Sequence, residues 1–122
     1  MKKFTLTMIL QILFISTAFA DCDDCESEAY DGVRDSKRAY NSSDLDSCQY
    51  YARKAYRHFS YAESYASDCD CDEAESDAYD AYRDAKRAYN SSDLDSCQYY
   101  ARKARRHGQD AESSASYCDW VF

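Results

Sequence analysis

The sequence predicts an all-α protein built as two tandem helical hairpins, four helices in all, stapled into a bundle by disulfides. Three observations predict it. A block of seventeen residues, "AYNSSDLDSCQYYARKA", occurs at 39–55 and again at 88–104, inside a longer gapless duplication. Small residues recur every third or fourth position along both copies. The 122 residues include no proline and only 2 glycines, so little interrupts a helix.

The chain opens with "MKKFTLTMILQILFISTAFA", in which Lys2 and Lys3 precede an apolar run that ends on Ala18-Phe19-Ala20. A charged start, a short apolar centre and a small-x-small end are the features of a cleavable secretory leader, so residues 1–20 are expected to be a signal peptide. Gln11 and Thr17 interrupt the run, which lacks a stop-transfer flank, and Asp21 before Cys22 does not suit a lipidation signal. The exported chain is expected to begin at Asp21 and to be secreted or periplasmic, with no membrane insertion after cleavage.

Residues 21–67 form the first expected hairpin and residues 68–122 the second, which carries a C-terminal tail; together they make one structural domain. In the first half of unit one the small residues are Cys22, Cys25, Ala29, Gly32, Ser36 and Ala39, matched in unit two by Cys71, Ala74, Ala78, Ala81, Ala85 and Ala88. The second halves repeat the pattern, from Cys48 through Ala52, Ala55, Phe59, Ala62 and Ala66 to Cys69, and from Cys97 through Ala101, Ala104, Gly108, Ala111 and Ala115 to Cys118. Intervals of three and four place each row on one helix face, and a seam of small side chains lets two helices approach near the lower end of the usual spacing of about 8–10 Å.

Between the rows lies "NSSDLDS", where Ser43 followed by Asp46 resembles a capping box, and Asp44 and Asp46 suit the positive end of a helix dipole. Leu45 and Leu94 are expected to pin the two turns. Tyr30, Tyr40 and Tyr51, with their copies Tyr79, Tyr89 and Tyr100, are expected to wrap the seam. Unit one carries Tyr56, Phe59, Tyr61 and Tyr65 where unit two has Arg105, Gly108, Asp110 and Ser114. This difference predicts a sandwiched second helix and a water-facing fourth one, closed by Trp120 and Phe122.

At "DLDSCQYYARKA" the chain resembles the second helix of a tetratricopeptide repeat, with Cys48, Tyr51 and Ala55 at positions where that family favours alanine, an aromatic and alanine. Proteins of that family commonly bind peptides in a concave groove, so the resemblance implies a partner-binding role.

All 7 cysteines follow the leader and fall on the seams. In an antiparallel hairpin the start of one helix meets the end of the next, so Cys22–Cys69 and Cys71–Cys118 are the expected disulfides. Cys48 and Cys97 sit at the turn ends and are expected to join the two units. Cys25, whose copy is Ala74, is the odd member, expected either to bond between molecules or to remain a buried thiol. The alternative use of Cys22-x-x-Cys25 and Cys69-x-Cys71 is as thiolate ligands for Cu(I) or Zn(II), as in an extracytoplasmic metal carrier. His58 and His107, at copied positions in "ARKAYRH" and "ARKARRH", are read as part of a surface cationic cluster.

The chain holds 23 acidic and 15 basic residues, and losing Lys2 and Lys3 with the leader moves the net charge from −8 to −10. Such a surface repels nucleic acid and anionic membranes. Acids open the first helix of each unit and bases close it, which matches the helix dipoles and also leaves opposite poles able to attract between molecules. "SDCDCDEAESD" lacks the glycine and closing glutamate of a calcium loop, and Asn41-Ser42-Ser43 and Asn90-Ser91-Ser92, although glycosylation-like, read as turns. No phosphate loop, nucleophile elbow or H-E-x-x-H occurs, so neither enzymatic activity nor a cofactor or metal site is expected. The expected role is a non-enzymatic helical-repeat module that binds a protein partner or itself, with a secreted effector or inhibitor as a further possibility.

Overall fold

The computed structural model describes residues 22–121, with side-chain environments through Cys118; residues 1–20, expected to be a leader, and the side chains of Trp120 and Phe122 lie outside this range. Four helices follow one another: α1 (residues 22–40), α2 (Leu45–Asp68), α3 (Asp72–Tyr89) and α4 (Leu94–Val121). The described residues contain no strand.

Each α1-to-α2 and α3-to-α4 elbow is built by the same residues. Asp44 caps α2 with an extended backbone (φ −140°, ψ 158°). Its Oδ1 accepts from the Ser47 amide at 2.8 Å and its Oδ2 from the Ser47 hydroxyl at 3.1 Å. Asp93 and Ser96 repeat both bonds at 2.8 and 3.1 Å. The cap is thus one residue later than Ser43, because a carboxylate can serve both donors of the first turn while a serine serves one. Ser42 and Ser91 instead close the preceding helices, their hydroxyls donating to the carbonyls of Arg38 and Arg87 at 2.8 Å.

The link between units is tighter. Cys71 N–H donates to the Ala66 carbonyl at 2.9 Å and Asp70 N–H to that of Ser67 at 3.2 Å, with Asp70 in the left-handed region at φ 58°. This is a Schellman ending, and it turns the chain from α2 into α3 within three residues.

The core is made of alanine and cysteine around one large side chain, Phe59. It has three layers. Near the α2–α3 link, Cys25 and Ala29 meet Ala62, Ala66, Ala74, Ala78, Ala111 and Ala115, so all four helices share one layer. Phe59 occupies the middle with Ala55, Ala81, Ala85 and Ala104. At the elbow end Ala39, Ala52, Ala88 and Ala101 surround Cys48 and Cys97.

The two hairpins face each other about a local two-fold axis. Gln49 Nε2 donates to the Ser91 carbonyl at 2.8 Å, and its copy Gln98 donates to the Ser42 carbonyl at 2.9 Å. A contact in which residue i meets j while the copy of j meets the copy of i is isologous, so one surface must complement itself. That requirement accounts for the identity of the two elbow blocks.

Closure about this axis corrects the expectation of a sandwiched α2 and a water-facing α4. Ala101, Ala104, Ala111 and Ala115 of α4 are as fully buried as Ala52, Ala55, Ala62 and Ala66 of α2. In a closed bundle every helix packs on two neighbours, and no helix is terminal. The aromatic surplus of α2 has two destinations. Phe59 fills the centre, while Tyr56 packs edge-on to Tyr82 at 5.9 Å and tilted against Tyr89 at 5.7 Å between α2 and α3. In the matching groove between α4 and α1, Arg102 and Arg105 lie over Tyr40 at 5.4 and 5.5 Å, cation–π contacts replacing ring contacts.

Tyr40, Tyr51, Tyr89 and Tyr100 are half-buried against the elbow-end layer, as are Leu45 and Leu94. Tyr30 and Tyr79 are not: they are 55% and 46% exposed, because their positions lie one residue off the buried row at Ala29 and Ala78.

Candidate functional site

The cysteines are positioned by the helix ends. The structure joins Cys22 to Cys69 and Cys71 to Cys118 across the open ends of the two hairpins, with Cα separations of 5.5 and 6.1 Å. Cys48 and Cys97 join the elbows across the local axis at 6.3 Å. All three spacings suit an ordinary disulfide. Staples therefore hold both ends of a bundle whose alanine core buries little apolar area per residue. Six of the thiols that a thiolate metal carrier would use are consumed in these bonds. Cys25 lies fully buried in the layer beside the α2–α3 link.

Three disulfides suit an oxidising, extracytoplasmic environment. Among the described residues, no helix is long and apolar enough to cross a membrane.

The polar side chains that the fold brings together were not evident as a group in the sequence. Asp35 and Asp84, at copied positions, are 1% exposed, and no hydrogen bond reaches any of their carboxylate oxygens. Their neighbours stand at ion-pair distance only: Arg38 at 3.7 Å and His58 Nε2 at 3.5 Å for Asp35, Arg87 at 3.8 Å and His107 Nε2 at 3.5 Å for Asp84. The histidines are thus turned partly inward against buried acids, which corrects their reading as a surface cationic cluster. A signal was present: each unit carries an Asp one position before a small seam residue, with Arg three positions on and His twenty-three positions on.

In unit one His58 has a second carboxylate partner, its Nδ1 lying 2.7 Å from Glu28 Oε2. Glu28, Asp31 and His58 bring one donor atom each within 4.8 Å of one another, all three half-buried. Unit two also holds two carboxylates and a histidine, Asp77, Asp80 and His107, yet in a different geometry. Asp77 is one methylene shorter than Glu28, and its Oδ2 accepts from the Ser114 hydroxyl at 2.9 Å. Unit one has Tyr65 at the position of Ser114.

The acidic pole has its own electrostatics. Partial burial raises the Glu63 carboxyl above its ordinary range, aided by Glu75 across the α2–α3 contact. Glu112 is raised by partial burial and then by Glu26, the symmetry-related pair. Asp77 is also pushed up by partial burial, against the lowering hydrogen bond from Ser114, with Asp110, Asp80 and Glu73 adding repulsion.

A carboxyl whose folded value is raised contributes most below its unfolded value, and that contribution is lost as pH rises through the folded value. Lowering the pH from about 7 to about 5, just above the ordinary carboxylate range, is therefore expected to make these three groups less destabilising. Denaturant midpoints at the two pH values check this: the triple variant E63Q/D77N/E112Q should gain less on acidification than the wild type, and equal gains would contradict it.

No protein-family model matches the chain, and neither a curated protein nor a solved structure does.

Proposed function

We propose that the protein is an exported, non-enzymatic, disulfide-stapled helical module that docks on a protein partner or on a second copy of itself. The observation that carries this reading is the set of tyrosines exposed on the outside of the bundle. Tyr30, Tyr50, Tyr61, Tyr79, Tyr99 and Tyr117 are between 46% and 67% exposed. Such large, rigid, amphipathic side chains supply contact area at small conformational cost. Several are held in place by cations: Lys54 lies 5.4 Å from the Tyr50 ring, its copy Lys103 5.6 Å from Tyr99, and Arg83 6.0 Å from Tyr79.

Because the alanine seam is filled by the two hairpins themselves, docking falls to the outer surface that carries these tyrosines. A secreted or periplasmic location agrees with the leader-like first twenty residues and with the staples. An effector or inhibitor role is one form of the same reading.

The test is a photo-crosslinking side chain placed in turn at Tyr30, Tyr79 and Tyr99, with Glu73 as the control position, in the compartment where the protein accumulates. Discrete adducts, with itself or with one partner, are expected at tyrosine positions and not at the control. No adduct at any of the three would sink the reading.

A further inference from the structure

The helix spacing that buries Asp35 also aligns it with the acids above it. Glu28, Asp31 and Asp35 stand three and four residues apart on one side of α1. His58 of α2 reaches into this row and places a carboxylate against each ring nitrogen: Glu28 Oε2 at 2.7 Å from Nδ1 and Asp35 Oδ2 at 3.5 Å from Nε2. A neutral imidazole has one N–H and one lone pair, so it can donate to only one of them and turns its lone pair on the other.

We propose that Glu28, Asp31 and His58 form a binding site for a borderline divalent cation of the zinc class, with Asp35 as the residue that orients the histidine. A second proton or a cation on Nδ1 would each remove the conflict that a single proton leaves, and the cation alone also uses Asp31, whose carboxylate stands within 4.8 Å of the other two donors. Nδ1 offers its lone pair to the metal, Nε2–H donates to Asp35, and the oxygens of Glu28 and Asp31 become ligands.

The buried, hydrogen-bond-free carboxylate of Asp35 thereby gains a donor, as in the carboxylate–histidine–metal arrangements that fix a ligand's tautomer. The dimensions suit this use. Tetrahedral coordination with bonds of about 2.0–2.2 Å sets neighbouring donors roughly 3.3–3.6 Å apart. The Glu28–His58 spacing of 2.7 Å is somewhat shorter, and all three donor atoms lie within 4.8 Å of one another, so small side-chain adjustments reach that value. Arg34, 3.5 Å from Asp31 and half exposed, is free to swing into water when the cation arrives.

Three protein ligands leave a position open to water. One imidazole and two carboxylates favour zinc over the harder magnesium and calcium ions, which take all-oxygen shells of six or more ligands. This site uses none of the cysteines and does not depend on the docking role proposed above.

Unit two supplies an internal control. Asp77 is short and engaged by Ser114 at 2.9 Å, so His107 is not expected to share in binding.

Calorimetric titration of the oxidised protein with zinc chloride tests the site, with calcium and magnesium chlorides as comparators. One equivalent of Zn²⁺ is expected to bind, weakened by at least about a hundredfold in H58A and in E28Q, by about 10–100-fold in D35N, and unchanged in H107A. Circular dichroism establishes that each variant is folded. E28Q, which preserves shape and lies at a half-buried position, keeps the test decisive should H58A lose structure. Absence of binding, binding that H58A and E28Q leave intact, equal affinity for calcium, or equal loss in H107A would each overturn the assignment.

Discussion

Replacing Phe59 by alanine is expected to destabilise the oxidised protein by about 3–5 kcal/mol, the range for a buried aromatic truncated in a core that cannot collapse. The reason lies in what surrounds the ring. The two glycines of the chain, Gly32 and Gly108, both lie against it: a Cβ added at Gly32 would sit 2.7 Å from Phe59 Cδ1, and one at Gly108 would sit 2.6 Å from Cζ and 2.9 Å from Val33 Cγ2. Neither glycine has a positive φ, so space and not backbone conformation is what they supply. Gly108 is moreover the copy of Phe59 itself. The local axis would bring two phenylalanines to one place, and the bundle resolves this with one large and one absent side chain.

A sign reversal follows. In the wild type, G108A gains about 1 kcal/mol of helix propensity but overpacks against the ring at a cost of about 1–3 kcal/mol, so it should destabilise on balance. In the F59A background the new methyl enters vacated space, and the same change should stabilise. Denaturant midpoints of the four proteins, read with disulfides intact, check both signs. Stabilisation by G108A in the wild type would mean that the ring is not where the structure places it.

The second large effect concerns Cys48–Cys97. Closing a loop with its separation of 49 residues is worth about 4 kcal/mol in the chain-entropy model, and somewhat less, about 3 kcal/mol, when two other staples already shorten the path. The variant C48A/C97A should lose that amount and keep its helices, since the alanines suit the layer of Ala39, Ala52, Ala88 and Ala101. Removing Gln49 and Gln98 in addition should cost more than in the wild type, because the hydrogen bonds to Ser91 and Ser42 then hold the elbows together without a covalent link. Equilibrium unfolding at fixed redox state measures both, and an unchanged midpoint in C48A/C97A would show that the staple adds nothing to the contact between elbows.

Helix positions were legible from residue spacing, because only small side chains fit where two backbones approach closely, and the 3-4 rhythm of Ala, Gly, Ser and Cys records that approach. Other features were not. Ser43 and Asp44 are adjacent cap formers, and local sequence does not choose between them; the two oxygens of the carboxylate do. Whether two hairpins stack openly or close on each other is also hidden, since both arrangements bury the same alanines. The aromatic excess of α2 pointed towards stacking, yet the complementarity of Phe59 with Gly32 and Gly108 exists only once α1, α2 and α4 meet.

The histidines illustrate a further limit. Neighbours in sequence made His58 look cationic and exposed. The carboxylates that matter, Glu28 and Asp35, are thirty and twenty-three residues away and reach it only through the hairpin. Their copies around His107 have similar chemistry, and the shorter Asp77, engaged by Ser114 where unit one has Tyr65, separates a convergent cluster from a dispersed one.

The central claim is that one hairpin, duplicated, faces its own copy across a two-fold axis that runs through the elbows. Trypsin cleavage after Arg38 and Arg53, and after Arg87 and Arg102, yields the same peptide twice, "AYNSSDLDSCQYYAR". Digestion of the monomeric, unreduced protein followed by mass spectrometry should therefore release a disulfide-linked dimer of one peptide with itself, which reduction collapses to a single mass. Recovery of that peptide unlinked, or joined to a peptide carrying Cys22, Cys25, Cys69, Cys71 or Cys118, would contradict the account.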